Sequence, residues 1–154
     1  RPSVLELRGP VDRSISLAEP GLRRQRISIR KSVAADVPLV RADPDQLEQV
    51  LMNLIWNAAD AMPEGGRIDI RLRRADGGAE LQVRDQGKGI APEHRDKVFD
   101  PFFTTKPRGK GTGLGLAICR RIVEEHRGAI DIGSAPAGGT EVRLRLPAAR
   151  EDHA

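Results

Sequence analysis

The chain has 154 residues, 38% of them apolar, and a formal net charge of +4, which fits one α/β domain with a sizeable core. Acidic and basic residues are interspersed, and no basic helix carries interleaved aromatic residues, which argues against a nucleic-acid partner. Cys119 is the only cysteine, so an internal disulfide is excluded, and no apolar run is long enough to cross a membrane. We therefore expect a reducing, cytoplasmic location.

The first third of the chain predicts a tail, a helix and a strand. Residues 1–10 resemble a tail that joins an upstream region, and we expect a piece of a longer protein that could be anchored in the inner membrane. Residues 11–24 predict a helix that Pro20 should kink or end. Residues 26–33 alternate between apolar and polar side chains and predict a strand.

The strongest predicted helix begins at Asp43. This acid is a suitable N-cap, and Pro44 suits the first helical position. Pro63 and the glycines that follow it end the pattern. Its apolar stripe is spaced like one helix face and consists of Leu47, Val50, Leu51, Leu54, Ile55, Ala58 and Met62.

Four further strands form two predicted pairs. Residues 67–74 and 79–85 predict a hairpin that turns near Asp76-Gly77-Gly78. Residues 129–134 and 140–146 predict the last two strands. The strands and helices together predict an α+β fold, a two-layer sandwich in which helices cover one face of a mixed, mostly antiparallel sheet.

A long polar segment, residues 86–112, lies between the two strand pairs. It is rich in glycine, lysine and proline, with one helical turn predicted near residues 92–98, and a loop of this length is usually functional or mobile. We expect it to act as a lid within a domain spanning residues 11–147. A helix should follow from Gly113 to His126, and residues 148–154 should form a C-terminal tail.

Two asparagines, Asn53 and Asn57, lie one helical turn apart on a face that differs from the apolar stripe, and Asp60 continues their line. Taken alone, the pattern favours a polar, solvent-facing side. Asparagine is a poor helix former, however, and an amide oxygen can bind Mg²⁺, which prefers oxygen ligands.

Strand parity predicts that Asp85 and Thr140 are buried. Asp85 shares the phase of Leu81 and Val83, and Thr140 shares the phase of Val142 and its apolar neighbours. Burial of an unpartnered carboxylate is costly, and the exocyclic amine of adenine would be a suitable donor. The alternative for Asp85 is an Asx turn that starts the loop.

Glycine clusters on both sides of the loop suit a phosphate-bearing ligand. Gly87 and Gly89 follow Asp85, and the series Gly111, Gly113 and Gly115 opens a helix, whose N-terminus attracts anions. Nearby cations are Lys106, Arg108 and Lys110. The pattern is neither a Walker P-loop nor a dinucleotide fingerprint, and together the blocks indicate ATP.

The remaining aromatic residues leave alternatives open. Residues 99–103 hold all three phenylalanines and form either an anchor for the loop or a docking surface. Trp56 and Cys119 are expected to pack in or near the core. His94, His126 and His153 belong to no metal cluster or nucleophilic triad in the sequence.

These blocks, in this order, resemble the catalytic and ATP-binding domain of sensor histidine kinases in the GHKL superfamily. Asn53–Asn57 resembles the N box, residues 85–89 the first glycine box and residues 99–103 the F box. Residues 111–116 resemble the second glycine box, and residues 138–140 the last glycine motif. The resemblance spans residues 40–147, and its finer features are most similar to the nitrogen-regulation and dicarboxylate sensors.

The resemblance implies that ATP and Mg²⁺ bind between the helices and the sheet. Asn57 would be the metal ligand, Asp85 the adenine reader, and Lys106 and Lys110 phosphate contacts, with Asn53, Asn57, Lys106 and Lys110 the catalytic set. The complete set of implied cofactor-binding residues is Asn53, Asn57, Asp60, Asp85, Gly87, Gly89, Ile90, Lys106, Lys110, Gly111, Thr112, Gly113, Leu114, Gly115, Leu116 and Thr140.

The resemblance also implies phosphoryl transfer rather than hydrolysis. ATPases of the superfamily carry a glutamate where this chain has Asn53, and an amide cannot take a proton from water. The acceptor histidine motif is absent, so we expect a helical dimerisation domain of the same protein to supply it, with a response regulator downstream and this piece alone a monomer. The alternatives are a GHKL ATPase or serine kinase, and a non-catalytic nucleotide-responsive module.

Overall fold

The computed structural model describes residues 1–101 and 115–150, which form an α+β domain with two layers. The helices are α1 (Arg8–Arg24), α2 (Pro44–Asp60) and α3 (Gly115–Glu125). The strands are β1 (Ser3–Leu5), β2 (Ile27–Val33), β3 (Val40–Ala42), β4 (Gly66–Ala75), β5 (Gly78–Arg84), β6 (Ala129–Ser134) and β7 (Thr140–Pro147).

The main sheet has five strands in the order β2-β4-β5-β7-β6. β2 pairs with β4 in parallel, and the other neighbours are antiparallel. Ile70, Val83 and Val142 stand opposite one another in the register and share the face that packs on the helices. The predicted fold class, a mostly antiparallel mixed sheet with helices on one face, is confirmed.

Helix α2 forms because its sequence supplies both a cap and a buried stripe. Asp43 Oδ1 accepts hydrogen bonds from the backbone N–H groups of Asp45 at 2.9 Å and Gln46 at 3.3 Å, so two of the unpaired donors of the first turn are satisfied. The predicted apolar residues Leu54 and Ile55 are among the most deeply buried side chains. The stripe thus fixes which side of α2 faces the sheet.

The N-terminal residues differ from the expected tail. β1 pairs antiparallel with β3, and α1 already begins at Arg8. Pro20 lies inside α1 without ending it, because the buried residues Ala18 and Leu22 on either side hold the helix against the core. A strand of three residues is too short to show a periodicity, so β1 and β3 were not predicted.

The residues after β7 are also attached to the domain. Ala148 forms a β-bridge with Val40, and the backbone N–H of Ala149 donates to Leu39 O at 2.7 Å. This differs from the expected C-terminal tail for residues 148–149. Residues 151–154 lie outside the part of the chain that is described.

The face of the sheet that carries no helix is covered by a network of charged side chains. Its centre is Glu80, which is fully buried and accepts hydrogen bonds from Arg73 Nε at 2.9 Å, Gln82 Nε2 at 2.6 Å and Arg145 Nε at 2.7 Å. Burial raises the pKa of Glu80, but these donors outweigh it and lower the pKa to about 2. The charges on this face therefore lie opposite the side on which the asparagines and Asp85 are found.

Candidate nucleotide-binding site

The two asparagines lie half-buried in the second half of α2. Asn57 O accepts the backbone N–H of Ala61 at 3.2 Å, so Asn57 lies one turn before the end of the helix. The Asn53 side chain is directed towards the thiol of Cys119 on α3. Asp60 is exposed at the last position of α2. The face of α2 that carries the asparagines thus extends from the contact with α3 at Asn53 to the carboxyl end of α2.

Asp85 follows β5 and is 7% exposed, as the parity of the strand predicted. Its Oδ1 atom accepts the backbone N–H groups of Gly87 at 2.9 Å and Thr140 at 3.1 Å. Both the predicted burial and the Asx turn are therefore present. Burial raises the pKa of the Asp85 carboxyl, and the two N–H donors counteract part of that rise.

The second oxygen, Asp85 Oδ2, accepts no hydrogen bond from the residues that the structure describes. An ionised carboxylate with one satisfied oxygen and one open oxygen is suited to an amine donor. The exocyclic amine of adenine fits that requirement, whereas the carbonyl group of guanine at the same ring position would be repelled. The donor set at Asp85 is thus consistent with ATP.

Glycines lie next to Asp85 and the end of α2 because the backbone is crowded there. A Cβ atom on Gly87 would lie 2.4 Å from Ala61 O, and one on Gly139 would lie 2.2 Å from Asp85 O. Gly139 also has a φ of +90°, which side chains of L-residues rarely adopt. Gly87 was predicted to make room for phosphates, and the structure shows that it also lets β5 pack against the end of α2.

The other predicted residues are distributed around this centre. Gly89 has a φ of +76° and lies beside Gly139 O, and Ile90 is half-buried. Gly115 is the first described residue of α3, and Leu116 packs against the core. Thr140 is buried at the start of β7, and its backbone N–H and C=O both bond to Asp85. The predicted residues outside the described part of the chain are Lys106, Lys110, Gly111, Thr112, Gly113 and Leu114.

The structure shows the positions of some of the aromatic residues and of the cysteine. Phe99 is half-buried and lies under the Arg120 guanidinium of α3, 5.8 Å from the ring centroid. Phe102 and Phe103 lie outside the described residues, so the two alternatives for the cluster stay open. Trp56 packs against Gly21, and Cys119 is buried, which confirms both expectations. Burial raises the pKa of the Cys119 thiol to about 11.

Sequence reasoning missed the contacts that hold the turn after β5. Gln86 Oε1 accepts the backbone N–H of Arg67 at 2.9 Å, and Gln86 N–H points at Met62 Sδ at 3.4 Å. Met62 was predicted only as a core residue. No local pattern in the sequence places residue 86 next to residues 62 and 67, because these contacts depend on how the strands and α2 meet.

The fold and the site define a nucleotide-binding α+β domain. Residues 42–150 match the family described as histidine kinase-, DNA gyrase B- and HSP90-like ATPase. This match covers more than half of the chain, and the chain belongs to that family. Within residues 1–101 and 115–150, no helix is long and apolar enough to cross a membrane.

Curated relatives include sensor kinases from several bacteria. The chain is 38% identical over 144 residues to the sensor histidine kinase ZraS of Escherichia coli K12, a match covering 94% of this chain and 30% of ZraS. It is 37% identical over 153 residues to the C4-dicarboxylate transport sensor protein DctS of Rhodobacter capsulatus, covering 97% of this chain and 23% of DctS. The chain thus spans less than a third of the length of these relatives.

Solved structures confirm the fold. The catalytic domain of histidine kinase ThkA superposes with a TM-score of 0.85 at 32% identity, over 96% of this chain and 97% of that chain. A mycobacterial sensor histidine kinase, MprB, superposes with a TM-score of 0.79 at 36% identity, over 96% of both chains. The fold of this chain is that of a histidine kinase catalytic domain.

Proposed function

We propose that this chain is the ATP-binding catalytic domain of a two-component sensor histidine kinase. It would transfer the γ-phosphoryl group of ATP to a histidine on a helical dimerisation domain of the same protein. The observation that carries the proposal is the buried Asp85 carboxylate: one oxygen accepts from Gly87 and Thr140, and the other accepts no hydrogen bond from the described residues, which suits an adenine amine. The family match and the similarity to kinase catalytic domains support it.

Different residues of the chain would contact the adenine base, the metal ion and the phosphates. Asp85 would accept the adenine amine, Asn57 would bind Mg²⁺ through its amide oxygen, and Lys106 and Lys110 would contact the phosphates. When bound, Mg²⁺ would neutralise charge on the phosphate oxygens. Asn53 cannot act as a general base, so the acceptor imidazole itself would be the nucleophile.

The proposal also covers the partners of the full-length protein and the cellular location of this chain. The phosphorylated histidine would pass its phosphoryl group to the receiver domain of a response regulator, and nucleic acid is not expected to bind. We also propose a place near the nitrogen-regulation and dicarboxylate sensors, which the similarity to the C4-dicarboxylate transport sensor DctS supports for the dicarboxylate group. We further propose that the chain is cytoplasmic and monomeric by itself; a dimer by light scattering would contradict the monomer.

Calorimetric titration of the chain with ATP and GTP, with and without Mg²⁺, tests the site. We expect adenine-selective, Mg²⁺-dependent binding. Addition of the helical histidine domain from the same full-length protein should then yield acid-labile phosphohistidine on that domain. Binding without transfer would favour a nucleotide-responsive module, and steady phosphate release that disappears in Asn53→Ala would favour an ATPase.

A further inference from the structure

Gln86 lies between two residues of the proposed site, Asp85 and Gly87, but its side chain turns away from them. The Oε1 atom accepts the backbone N–H of Arg67 at 2.9 Å, at the start of β4. The backbone N–H of Gln86 contacts Met62 Sδ at 3.4 Å, just past the end of α2. One residue therefore connects the exit of β5 with two other elements.

Gly66 makes this junction possible. A Cβ atom at Gly66 would lie 2.7 Å from Met62 Sδ and 3.3 Å from Gln86 Oε1, and the φ of Gly66 is +148°. Because no side chain fills this space, Met62 and Gln86 both approach the start of β4. We call the four residues Met62, Gly66, Arg67 and Gln86 the clasp.

The clasp acts on the backbone that shapes the Asp85 carboxylate. The peptide between Asp85 and Gln86 carries the N–H that contacts Met62, and the next peptide carries the Gly87 N–H that donates to Asp85 Oδ1 at 2.9 Å. If residue 86 moved, the Gly87 donor would move with it. The Gln86 side chain therefore bears on one of the two N–H donors of Asp85 Oδ1, the other being Thr140 N–H, although Gln86 itself is exposed.

We infer that Gln86 is a positioning residue for adenine recognition: its bond to Arg67 holds the Asp85–Gly87 turn so that Asp85 Oδ2 meets the exocyclic amine. This inference rests on the proposed ATP site. It differs from a purely structural role, because an effect transmitted through Asp85 should depend on the base of the nucleotide, whereas general loosening of the domain should not.

The test compares the binding of ATP with that of purine riboside triphosphate, which lacks the exocyclic amine. In Gln86→Ala, the Kd for ATP should rise about three- to tenfold, the effect of one lost hydrogen bond, while the Kd for the purine riboside nucleotide changes less than about twofold. Gln86→Glu keeps an acceptor of the same length and should retain the wild-type ratio of the two Kd values. Gln25→Ala changes an exposed glutamine just after α1, away from the asparagine face of α2, and is the matched control.

Thermal unfolding of each variant separates recognition from stability. If Gln86→Ala leaves the ratio of the two Kd values unchanged, whether both rise equally or neither changes, the inference is overturned and the proposed function stays intact. A wild-type chain that binds both nucleotides equally would overturn it as well, because Asp85 would then not read the amine. Failure of the wild-type chain to bind ATP at all would instead contradict the proposed function.

Discussion

Asp85 Oδ1 accepts a hydrogen bond of 3.1 Å from the backbone N–H of Thr140, which lies 55 residues further along the chain. The backbone N–H of Asp85 donates in return to Thr140 O at 2.9 Å. Two hydrogen bonds thus join the residue after β5 to the first residue of β7, one through the Asp85 side chain and one through its backbone. Any change of the backbone just before Thr140 should therefore alter the position of the Asp85 carboxylate.

Gly139→Ala should weaken ATP binding much more than Gly138→Ala. Both glycines have a φ near +90°, so either alanine costs about 1–2 kcal/mol in backbone strain. Only the Cβ atom at residue 139 meets Asp85, at 2.2 Å from its backbone oxygen, whereas the space at residue 138 is open. We expect ATP affinity to fall by about tenfold or more in Gly139→Ala and by less than about threefold in Gly138→Ala. Calorimetry and thermal unfolding check this, and equal affinities in the two variants would refute it.

Asp85→Asn should abolish adenine selectivity while stabilising the free domain. Burial raises the pKa of Asp85 in the folded chain, so its favourable contribution is complete below the unfolded pKa and is lost as the pH rises through the folded pKa. At pH 7 the ionised carboxylate therefore costs stability. We expect the Tm of the variant to rise by about 2–4 °C at pH 7, which is about 1 kcal/mol.

The gain in Asp85→Asn should shrink as the pH falls through the pKa of the folded chain's Asp85, which burial raises above its ordinary value, because the wild-type carboxyl then becomes protonated. Asp36→Asn, at an exposed position, is the control and should show neither effect. Scanning calorimetry between pH 4 and pH 7, with and without ATP, gives both readouts. A variant that is less stable at pH 7 would contradict the sign of the linkage.

The sequence predicted the elements whose signals are local and strong. Asp43 and Pro44 mark the start of α2, and the alternation before Asp85 places its side chain on the buried face; the structure confirms both. The last helix is confirmed for the residues from Gly115 onwards, while its predicted start at Gly113 lies outside the described residues.

The sequence could not predict features that depend on pairs distant in the chain. β1 and β3 pair over three residues each, which gives no periodicity to detect. The burial of Glu80 on the open face of the sheet depends on Arg73 and Arg145, one on each neighbouring strand. The clasp at Gln86 likewise requires the ends of α2 and β5 to meet. These features follow from strand register, which a single sequence does not specify.

Asn57→Ala should remove the Mg²⁺ dependence of ATP binding. The amide lies half-buried one turn from the end of α2, where Ala61 meets Gly87 below Asp85. If its oxygen binds Mg²⁺, ATP affinity in Mg²⁺ should fall about tenfold or more, while affinity in a chelator should stay unchanged. Calorimetric titration in both buffers measures this, with Gln25→Ala, at an exposed position just after α1, as the control. Equal losses in both buffers would assign Asn57 to the nucleotide instead of the metal.

Glu80→Gln should destabilise the domain without weakening ATP binding, because Glu80 lies on the sheet face opposite Asp85. Loss of the charge weakens the bonds from Arg73 and Arg145, and we expect a cost of about 1–3 kcal/mol at pH 7. The exposed Glu64→Gln is the control.

The pH dependence of Glu80→Gln gives a second check. The folded pKa of Glu80 is about 2, below its ordinary value of 4.5, so its stabilising contribution is present above the unfolded pKa and is lost as the pH falls towards 2. Free energies of unfolding of wild-type and Glu80→Gln chains, measured in urea, should therefore differ fully at pH 7, and the difference should begin to shrink below the ordinary pKa of 4.5 and vanish only near pH 2. A difference that stays constant down to pH 3 would show that the cost of the substitution arises from packing and not from the charge.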